Sequence, residues 1–312
     1  MSPKCRRCGS ERAEIYLPYA RLRLCPDCFR EFYVKRIRRT VERFRMFKAG
    51  DRIGVAVSGG KDSAALLHGL REAFPNIELV ALHIDLGIKG YSDHCRGKVE
   101  ELADIVDVRL EVYDLEDELD VTIDDFRRTP YRRKICSVCG TIKRHIMEVL
   151  AERSGARVLA TGHNLDDVVG TMLNNFFSGN WAQLVRLKPI LKPIMPNQTV
   201  KVKPLITTPE DENLLYCLYQ NIPFREVDCP YTHRERLSRN REVLQFLSKG
   251  NPNFKHQMLS NFLKLIPILE GSIKKPPIMR CKICGYPSSA EICAFCKRIE
   301  MVKKIGKTNI AN

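Results

Sequence analysis

The sequence lacks any long apolar run, since no stretch approaches the roughly eighteen uninterrupted hydrophobic residues that mark a membrane-spanning helix. The N-terminal segment MSPKCRRCGS has no hydrophobic region of the kind found in secretory signals. A long internal repeat and a low-complexity tract are absent as well. These absences exclude membrane-spanning and repeat architectures and predict a globular, cytoplasmic protein.

Acidic residues are scarce relative to basic ones, because 37 Asp and Glu face 52 Lys and Arg, giving a net charge of +15. A surplus of this size favours association with polyanions. We expect the basic segment 127–134 (RRTPYRRK) to bind phosphates, with Tyr131 available to an unstacked base. For a second basic stretch, ordinary solvated helix surface is an equally good interpretation; it comprises Lys35, Arg36, Arg38, Arg39, Arg43, Arg45 and Lys48.

Cysteine, in contrast, is abundant: thirteen residues, ten of which fall in Cys-x-x-Cys pairs. In a reducing compartment such pairs indicate metal or redox sites rather than disulfides. The two pairs near each end supply four thiolates, the ligand set of a closed structural zinc site. Free thiols without metal are a poor alternative, because small Cys-rich segments need a staple to fold. We therefore predict two zinc ions, one held by Cys5, Cys8, Cys25 and Cys28 and one by Cys281, Cys284, Cys293 and Cys296.

The middle of the chain alternates between β-branched runs and helical patterns, which predicts an α/β fold with a doubly wound parallel sheet, Rossmann-like, flanked by the small four-cysteine zinc modules. Strands are expected at Arg52–Val57, Glu78–Ile84, Val108–Tyr113, Arg157–Thr161 and Val200–Val202, and helices at 141–153, 210–220, 234–247 and 257–269. The predicted domains are a zinc module (1–30), a basic linker helix (31–50), the α/β domain (51–232), C-terminal helices (233–276) and a second zinc module (277–312).

A glycine-rich turn follows the first of these strands and precedes a helix. Its six residues, Ser58, Gly59, Gly60, Lys61, Asp62 and Ser63, follow Ala56 and Val57. Backbone N–H groups at such a turn and the helix N-terminus favour a bound phosphate. The spacing does not match a Walker A loop, in which Gly-Lys is followed by Ser or Thr. We predict a nucleotide phosphate site here; the alternative is a simple turn with a capping serine.

Two further segments end strands at the same predicted edge. His83 and Asp85 lie where the second strand ends, a position suited to the adenosine, although His83 is better explained by local packing or hydrogen bonding. The motif Gly162-His163-Asn164-Leu165-Asp166-Asp167 ends the fourth strand and opens a helix capped by Asn164. Two successive carboxylates beside a phosphate site predict magnesium binding or acid–base chemistry.

The central pair Cys136 and Cys139 has no second pair to complete a zinc site. The basic residues before it and the helix after it are expected to lower the thiol pKa. With Cys229, in the loop DCPY, it supplies three thiolates, which suit a 4Fe–4S cluster with one open iron. A persulfide and disulfide relay between either central cysteine and Cys229 is the competing interpretation. Cys217 is predicted to be core, and no role follows for Cys95.

The SGGKDS turn resembles the PP-loop of N-type ATP pyrophosphatases. Together with CSVCG, DCPY and the two quartets, it makes the chain similar to tRNA 2-thiolation enzymes, the archaeal and thermophile two-thiouridine synthetases and their cytosolic wobble-uridine relatives. The resemblance implies ATP, Mg²⁺, tRNA as substrate, and a 4Fe–4S cluster on Cys136, Cys139 and Cys229. It also implies a catalytic lysine matching Lys143 and a catalytic aspartate matching Asp167. A ubiquitin-like thiocarboxylate carrier as sulfur donor and a homodimer are further implications.

The resulting hypothesis is adenylation of a uridine carbonyl followed by replacement of its oxygen with sulfur. Whether the T-loop or the wobble uridine is modified remains open. One alternative is another PP-loop tRNA enzyme, such as a 2-thiocytidine or lysidine synthetase. A second, of a different class, is a non-catalytic zinc-ribbon RNA-binding protein, which the intact SGGKDS turn disfavours.

Overall fold

A computed structural model describes residues 4–195, 198–232, 234–273 and 277–310, and within them the chain forms a central six-stranded sheet and two small hairpins. The predicted domain limits at 233 and 276 lie outside the described residues. The strands are β1 (Ile15–Leu17), β2 (Leu22–Leu24), β3 (Arg52–Ala56), β4 (Glu78–Asp85), β5 (Arg109–Asp114), β6 (Val158–Ala160), β7 (Ile190–Leu191), β8 (Val200–Val202), β9 (Met279–Arg280) and β10 (Pro287–Ser288).

The central sheet has the order β5-β4-β3-β6-β8-β7, parallel throughout except for the edge strand β7. The predicted doubly wound α/β fold is confirmed. Its inner strands are buried on both faces, so they read as continuous apolar runs rather than as alternating patterns. The chain leaves β3 for β4 and β5 on one side and returns to β6 on the other. The crevice between the ends of β3 and β6 is therefore the topological switch point, where ligands of such sheets bind.

The helices cover both faces of this sheet. They are α1 (Pro26–Phe44), α2 (Lys61–Ala73), α3 (Ser92–Val106), α4 (Leu115–Leu119), α5 (Ile135–Arg153), α6 (Leu165–Phe177), α7 (Trp181–Leu184), α8 (Glu210–Tyr219), α9 (Arg234–Gly250), α10 (Phe254–Ser272) and α11 (Ala294–Ile310). In the part of the chain that the structure covers, none of these helices has the length and apolarity needed to cross a bilayer.

Helix α1 begins inside the N-terminal Cys-rich module and ends at Phe44, whereas a linker helix was expected over 31–50. It packs into the core instead of linking domains. The ring of Tyr33 stacks on Tyr216 of α8 at 4.0 Å, and Gly69 of α2 leaves the space that Ile37 fills. The N-terminal module and the α/β domain thus share one helix and one core.

Two arginines of the second basic stretch have structural partners. Arg36 donates to the Glu212 carboxylate at 2.8 Å and also contacts the Tyr19 hydroxyl, with 13% of its side chain exposed. Arg38 donates to the carbonyl of Ala73 at 2.7 and 3.1 Å. Arg36 is therefore held within the protein, whereas Arg38 remains exposed at the helix surface.

The C-terminal module packs against α5. Ile299 and Val302 of α11 are buried in the same apolar cluster as the inner face of that helix. The ring of Phe295 stacks on His145 at 3.8 Å, and Arg298 donates to the carbonyl of Ser137 at 3.1 Å. The module therefore supports the helix that carries the central cysteines.

Candidate active site

The SGGKDS turn joins β3 to α2 and is closed by its last serine. Ser63 Oγ donates to the carbonyl of Gly60 at 2.8 Å and accepts from the backbone N–H of Ser58 at 3.1 Å. Gly59 adopts a φ of +78°, and a Cβ there would lie 3.0 Å from the Cys95 carbonyl oxygen, so this position requires glycine. No side chain caps the N-terminus of α2. Its first N–H groups are left for an anion.

Asp62 is oriented by two amides, because its Oδ1 accepts from Asn164 at 3.1 Å and from Asn213 at 2.8 Å. Lys61 donates to Asp62 Oδ2 at 3.0 Å and to Glu210 at 2.8 Å. These carboxylates outweigh desolvation and raise the pKa of Lys61, so its ammonium is charged and held away from the turn.

A cavity of about 870 Å³ opens at the carboxyl edge of the sheet, near the upper end of the range for ligand pockets, about 300–1,000 Å³. Of the residues predicted to bind the nucleotide, its walls include Ala56, Val57, Ser58, Asp62, Ser63, His83 and Gly162. Gly59, Gly60 and Lys61 do not line it, and neither does Asp85. Its carboxylate is buried and accepts from the backbone N–H of Gly87 at 3.0 Å, which shapes the turn after β4.

His83 makes the local hydrogen bond that the sequence favours, from Nδ1 to the carbonyl of Val57 at 2.8 Å. Burial lowers its pKa, so the imidazole is neutral with the proton on Nδ1. Its Nε2 is buried without a hydrogen-bond partner among the described residues, and His83 lines the cavity. Nε2 can therefore accept a hydrogen bond from a bound ligand.

The two successive carboxylates of α6 have different environments. Asp166 is paired with Lys255 of α10 at 2.5 Å and accepts from the backbone N–H of Glu210 at 2.9 Å, which holds helices together. Asp167 lines the cavity and shares a capping box with Asn164. Desolvation and the neighbouring Asp62 raise the pKa of Asp167 to about 7. Of these two carboxylates, only Asp167 lines the cavity, where it could bind a metal ion or a substrate.

The central cysteines lie in the first turns of α5, which begins at Ile135 and not at the predicted position 141. Cys136 Sγ donates to the carbonyl of Tyr231 at 2.8 Å, which ties this turn to the loop of Cys229. The expected lowering of the thiol pKa is wrong: desolvation raises the pKa of Cys136 and Cys139, and Cys229 adds to the effect. The basic residues before them are exposed, and Arg298 covers the ring of Tyr131 at 5.6 Å.

Lys143 lies one helical turn beyond Cys139 and lines the same cavity as Ser58 and Asp167. Its charge acts on the thiols of both central cysteines and lowers their pKa against the dominant desolvation. Cys136, Cys139 and Cys229 do not line the cavity themselves, so Lys143 is the residue that lines it and also acts on the central thiols.

Sequence reasoning missed two neighbours of the turn. The backbone N–H of Arg225 donates to the Gly59 carbonyl at 2.7 Å, and its guanidinium lies over the Tyr91 ring at 5.2 Å. In the part of the chain that the structure describes, its buried Nε has no hydrogen-bond partner. Cys95 is buried against Gly59. Both contacts join segments distant in sequence, and no local pattern signals them.

Each terminal quartet has its four sulfur atoms within 4.8 Å of one another. Individual Sγ–Sγ distances are 3.6 Å for Cys8 and Cys25, 3.7 Å for Cys284 and Cys293, and 3.9 Å for Cys281 and Cys296. Four ligands at about 2.3 Å from one zinc ion lie roughly 3.8 Å apart in a tetrahedron. Both quartets therefore fit a single tetrahedral ion.

Comparison with known proteins agrees with this architecture. A model of the PP-loop domain matches residues 33–244, and one of the N-terminal LIM domain of the 2-thiouridine synthetase TtuA matches residues 4–30. The tRNA-5-methyluridine(54) 2-sulfurtransferase of Pyrococcus horikoshii is 36% identical, covering 97% of this chain and 95% of the relative. The tRNA 2-thiolation protein NcsA of Haloferax volcanii is 30% identical over 97% of this chain and all of the relative.

A solved structure supports the same relationship. The U34-tRNA thiolase NcsA from Methanococcus maripaludis, determined with its [4Fe-4S] cluster, superimposes with a TM-score of 0.79 at 27% identity, covering 94% of each chain. The resemblance found in the sequence is confirmed by the family models, the relatives and this structure. The chain belongs to the PP-loop family of tRNA 2-thiolation enzymes, whose named members are tRNA 2-sulfurtransferases.

Proposed function

We propose that this enzyme makes 2-thiouridine in tRNA by adenylating the uridine C2 carbonyl and then replacing its oxygen with sulfur. The observation that carries the proposal is the shared cavity: Ser58 and Asp62 of the phosphate turn line the same walls as Lys143 and Asp167, and the charge of Lys143 acts on the thiols of Cys136 and Cys139. An amide-like carbonyl oxygen is a poor leaving group. Activation and sulfur delivery must therefore occur within reach of one base.

In the first step the uridine O2 attacks the α-phosphorus of ATP, and pyrophosphate leaves. The turn Ser58–Ser63 and the uncapped N-terminus of α2 hold the pyrophosphate, while His83 Nε2 accepts from the adenosine. Asp167, with Asp62 opposite, would hold Mg²⁺, since carboxylate oxygens are the ligands that this ion prefers. In the second step a sulfide attacks C2 and AMP leaves with the original oxygen. Lys143 stabilises the negative charge that develops on the way.

Cys136, Cys139 and Cys229 would hold the 4Fe–4S cluster, whose open iron supplies the sulfide. Three sulfur donors on two segments tied by the Cys136–Tyr231 hydrogen bond fit this group. Their sulfur atoms do not form a group as tight as the described quartets, which suits a four-iron cluster better than a single ion. The relative from Methanococcus maripaludis, solved with such a cluster, supports the assignment.

The remaining proposals concern partners and location. We propose a cytoplasmic homodimer that receives sulfur from a ubiquitin-like thiocarboxylate carrier; relatives named cytoplasmic tRNA 2-thiolation proteins support the location.

The experiment that tests the proposed reaction combines anaerobic enzyme, ATP, Mg²⁺, sulfide and unmodified tRNA, with mass spectrometry of the nucleosides. One AMP and one pyrophosphate per thiouridine are expected. ATP turnover that yields thiocytidine, or no turnover with tRNA, would reject the proposal.

Arg225 is expected to bind the pyrophosphate through its unpaired Nε. Arg225→Gln should weaken ATP binding about 10- to 100-fold, the loss of one or two charge-assisted hydrogen bonds. Arg225→Lys should recover part of the affinity, and Glu226→Gln, in the adjacent exposed position, should change nothing. Calorimetry with a non-hydrolysable ATP analogue measures the effect. Iron content must stay constant; a fall in iron with unchanged ATP affinity would mean that Arg225 only supports the Cys229 loop.

Zinc is the proposed ion of both quartets. Metal analysis should give two zinc ions per chain, and Cys281→Ser should leave one and lower the melting temperature, because a four-cysteine zinc site contributes its binding energy to folding. Ser289→Ala, an exposed change in the same module, is the control. A wild-type protein whose quartets carry iron, or no metal, contradicts the assignment.

A further inference from the structure

Three cations lie in a part of the cavity that the nucleotide chemistry leaves unused. Arg144 lies on α5 next to Lys143, Arg186 lies in the turn before β7, and Lys203 directly follows β8; all three line the cavity. We refer to them as the cationic trio. Arg186 and Lys203 lie on the β6–β8 side of the phosphate turn, whereas His83 lies on the β4 side.

The trio has no acidic partner. Within residues 4–195, 198–232, 234–273 and 277–310, no carboxylate oxygen lies within 4.0 Å of the charged atoms of these three side chains, whereas the neighbouring Lys201 is paired with Glu148 at 2.5 Å. Lys203 Nζ donates only to carbonyls, of Lys188 at 2.7 Å and Arg186 at 3.5 Å, and Arg144 donates to Thr141 Oγ1 at 3.3 Å. Among the described residues, the positive charge of these three side chains is thus not paired directly with a carboxylate.

The nearby positive charges and burial lower the pKa of both Lys203 and Arg144. Burial lowers the pKa of Lys203 to about 8, and Arg186, Lys188 and Lys201 add to the effect. The pKa of Arg144 is likewise lowered by desolvation and by Arg186 and Arg298. Like charges held together in a cleft cost free energy, and they are a recurrent feature of sites that bind an anion.

An exposed aromatic group adjoins the same rim. Phe177 and Trp181 are 80% and 42% exposed, and Phe176 meets Trp181 edge to face at 5.6 Å. Asn175 and Gln183, which flank this group in the sequence, line the cavity. Cations beside exposed aromatic rings are what single-stranded or loop RNA requires, since bases stack on the rings while phosphates contact the cations.

We propose that the cationic trio binds a backbone phosphate of the tRNA next to the target uridine and thereby fixes the depth at which that base enters the cavity. The inference rests on the proposed function. The phosphates of ATP have their own donors in the SGGKDS turn, on the other side of Asp167. The planar fork of Arg186 and the point charge of Lys203 together match a phosphate diester that has to be held in one orientation.

Binding of unmodified tRNA between 50 and 200 mM salt tests the proposal. Arg186→Gln and Lys203→Gln should each weaken binding several-fold, and the slope of log K against log salt should become less negative by about one. Lys192→Gln, an exposed lysine close in sequence but outside the cavity, is the matched control and should keep the wild-type affinity and slope. Affinity for a non-hydrolysable ATP analogue should be the same in all four proteins.

Arg186 is exposed, so its substitution leaves the fold intact and decides the outcome even if the Lys203 variant unfolds. Wild-type affinity and salt slope in Arg186→Gln overturn the inference. A loss of ATP affinity with unchanged tRNA binding also overturns it, because the trio would then serve the nucleotide. A wild-type protein that fails to bind tRNA sinks the proposed function itself, which distinguishes the two failures.

Discussion

Cys136→Ala should reduce tRNA thiolation to the level of an enzyme-free reaction, while the zinc content proposed for the two quartets should not change. Cys136 is one of three sulfur donors proposed for the cluster, and it also forms the hydrogen bond to Tyr231 that joins the two ligand segments. The quartets lie in separate modules with their own sulfur ligands, so their metal content should not respond. Anaerobic purification, the visible absorbance of the cluster, iron and zinc analysis and thionucleoside mapping measure these effects together.

Ser137→Ala is the matched control, since Ser137 is exposed in the same turn and uses its backbone carbonyl, not its hydroxyl, to bind Arg298. It should keep cluster and activity. Alanine variants of Cys139 and Cys229 separate the two sulfur chemistries. A cluster needs all three ligands, so each variant should lose iron and activity, whereas a relay to Cys229 needs only one of the two central cysteines. Retention of activity in either central variant would reject the cluster role.

Asp167→Asn should lower the thiolation rate by about 10²- to 10³-fold, because an amide is a poorer ligand than a carboxylate for the proposed Mg²⁺, and it should at the same time stabilise the protein above neutral pH. The carboxyl is raised to a pKa of about 7 in the folded chain by desolvation and by Asp62, against 3.8 ordinarily. Between these two values the folded protein binds the extra proton, so stability declines as pH rises through this window and is lowest above pH 7.

Asparagine removes this penalty and can still accept the hydrogen bond from the backbone N–H of Asn164. Because water in the open cavity screens the charge, we expect a gain of only about 1 kcal/mol at pH 8, or roughly 2–4 °C in melting temperature, and none at pH 4. Thermal unfolding of nucleotide-free protein across this range checks the sign. Asp166→Asn, which breaks the ion pair with Lys255, should destabilise at both pH values. A variant Asp167→Asn with wild-type pH dependence would show that the raised pKa belongs to another group.

The parts of this site that sequence reasoning finds are those with local causes. SGGKDS needs only its own glycines, one strand and one helix, and the quartets need only the spacing of their cysteines. The different environments of Asp166 and Asp167 could not be predicted from the local sequence, because the partners of Asp166 are Lys255 and Glu210, far along the chain. Arg225 reaches Gly59 across an even longer separation.

The first residue of α5 was also predicted wrongly, because burial outweighs the local sequence signal there. Gly140 and the preceding basic run favour a helix from 141, yet Ile135, Val138 and Ile142 continue the buried stripe of the helix toward its N-terminus. Burial of that stripe beneath the C-terminal module outweighs the local cost of glycine. The same burial raises the pKa of the Cys139 thiol, and the exposed arginines before the helix do not offset this effect.

The contact of Lys61 with Glu210 bears on how product departs. A phosphate that draws this ammonium into the turn has to break the contact at 2.8 Å, and the contact re-forms when pyrophosphate leaves. In the proposed mechanism, Glu210 would therefore compete with the phosphate for the Lys61 ammonium, which would weaken nucleotide binding and favour the release of pyrophosphate. Pyrophosphate carries about three negative charges and has to leave before the next tRNA is modified. For such a product, a carboxylate that competes for the lysine would speed turnover more than tighter phosphate binding would.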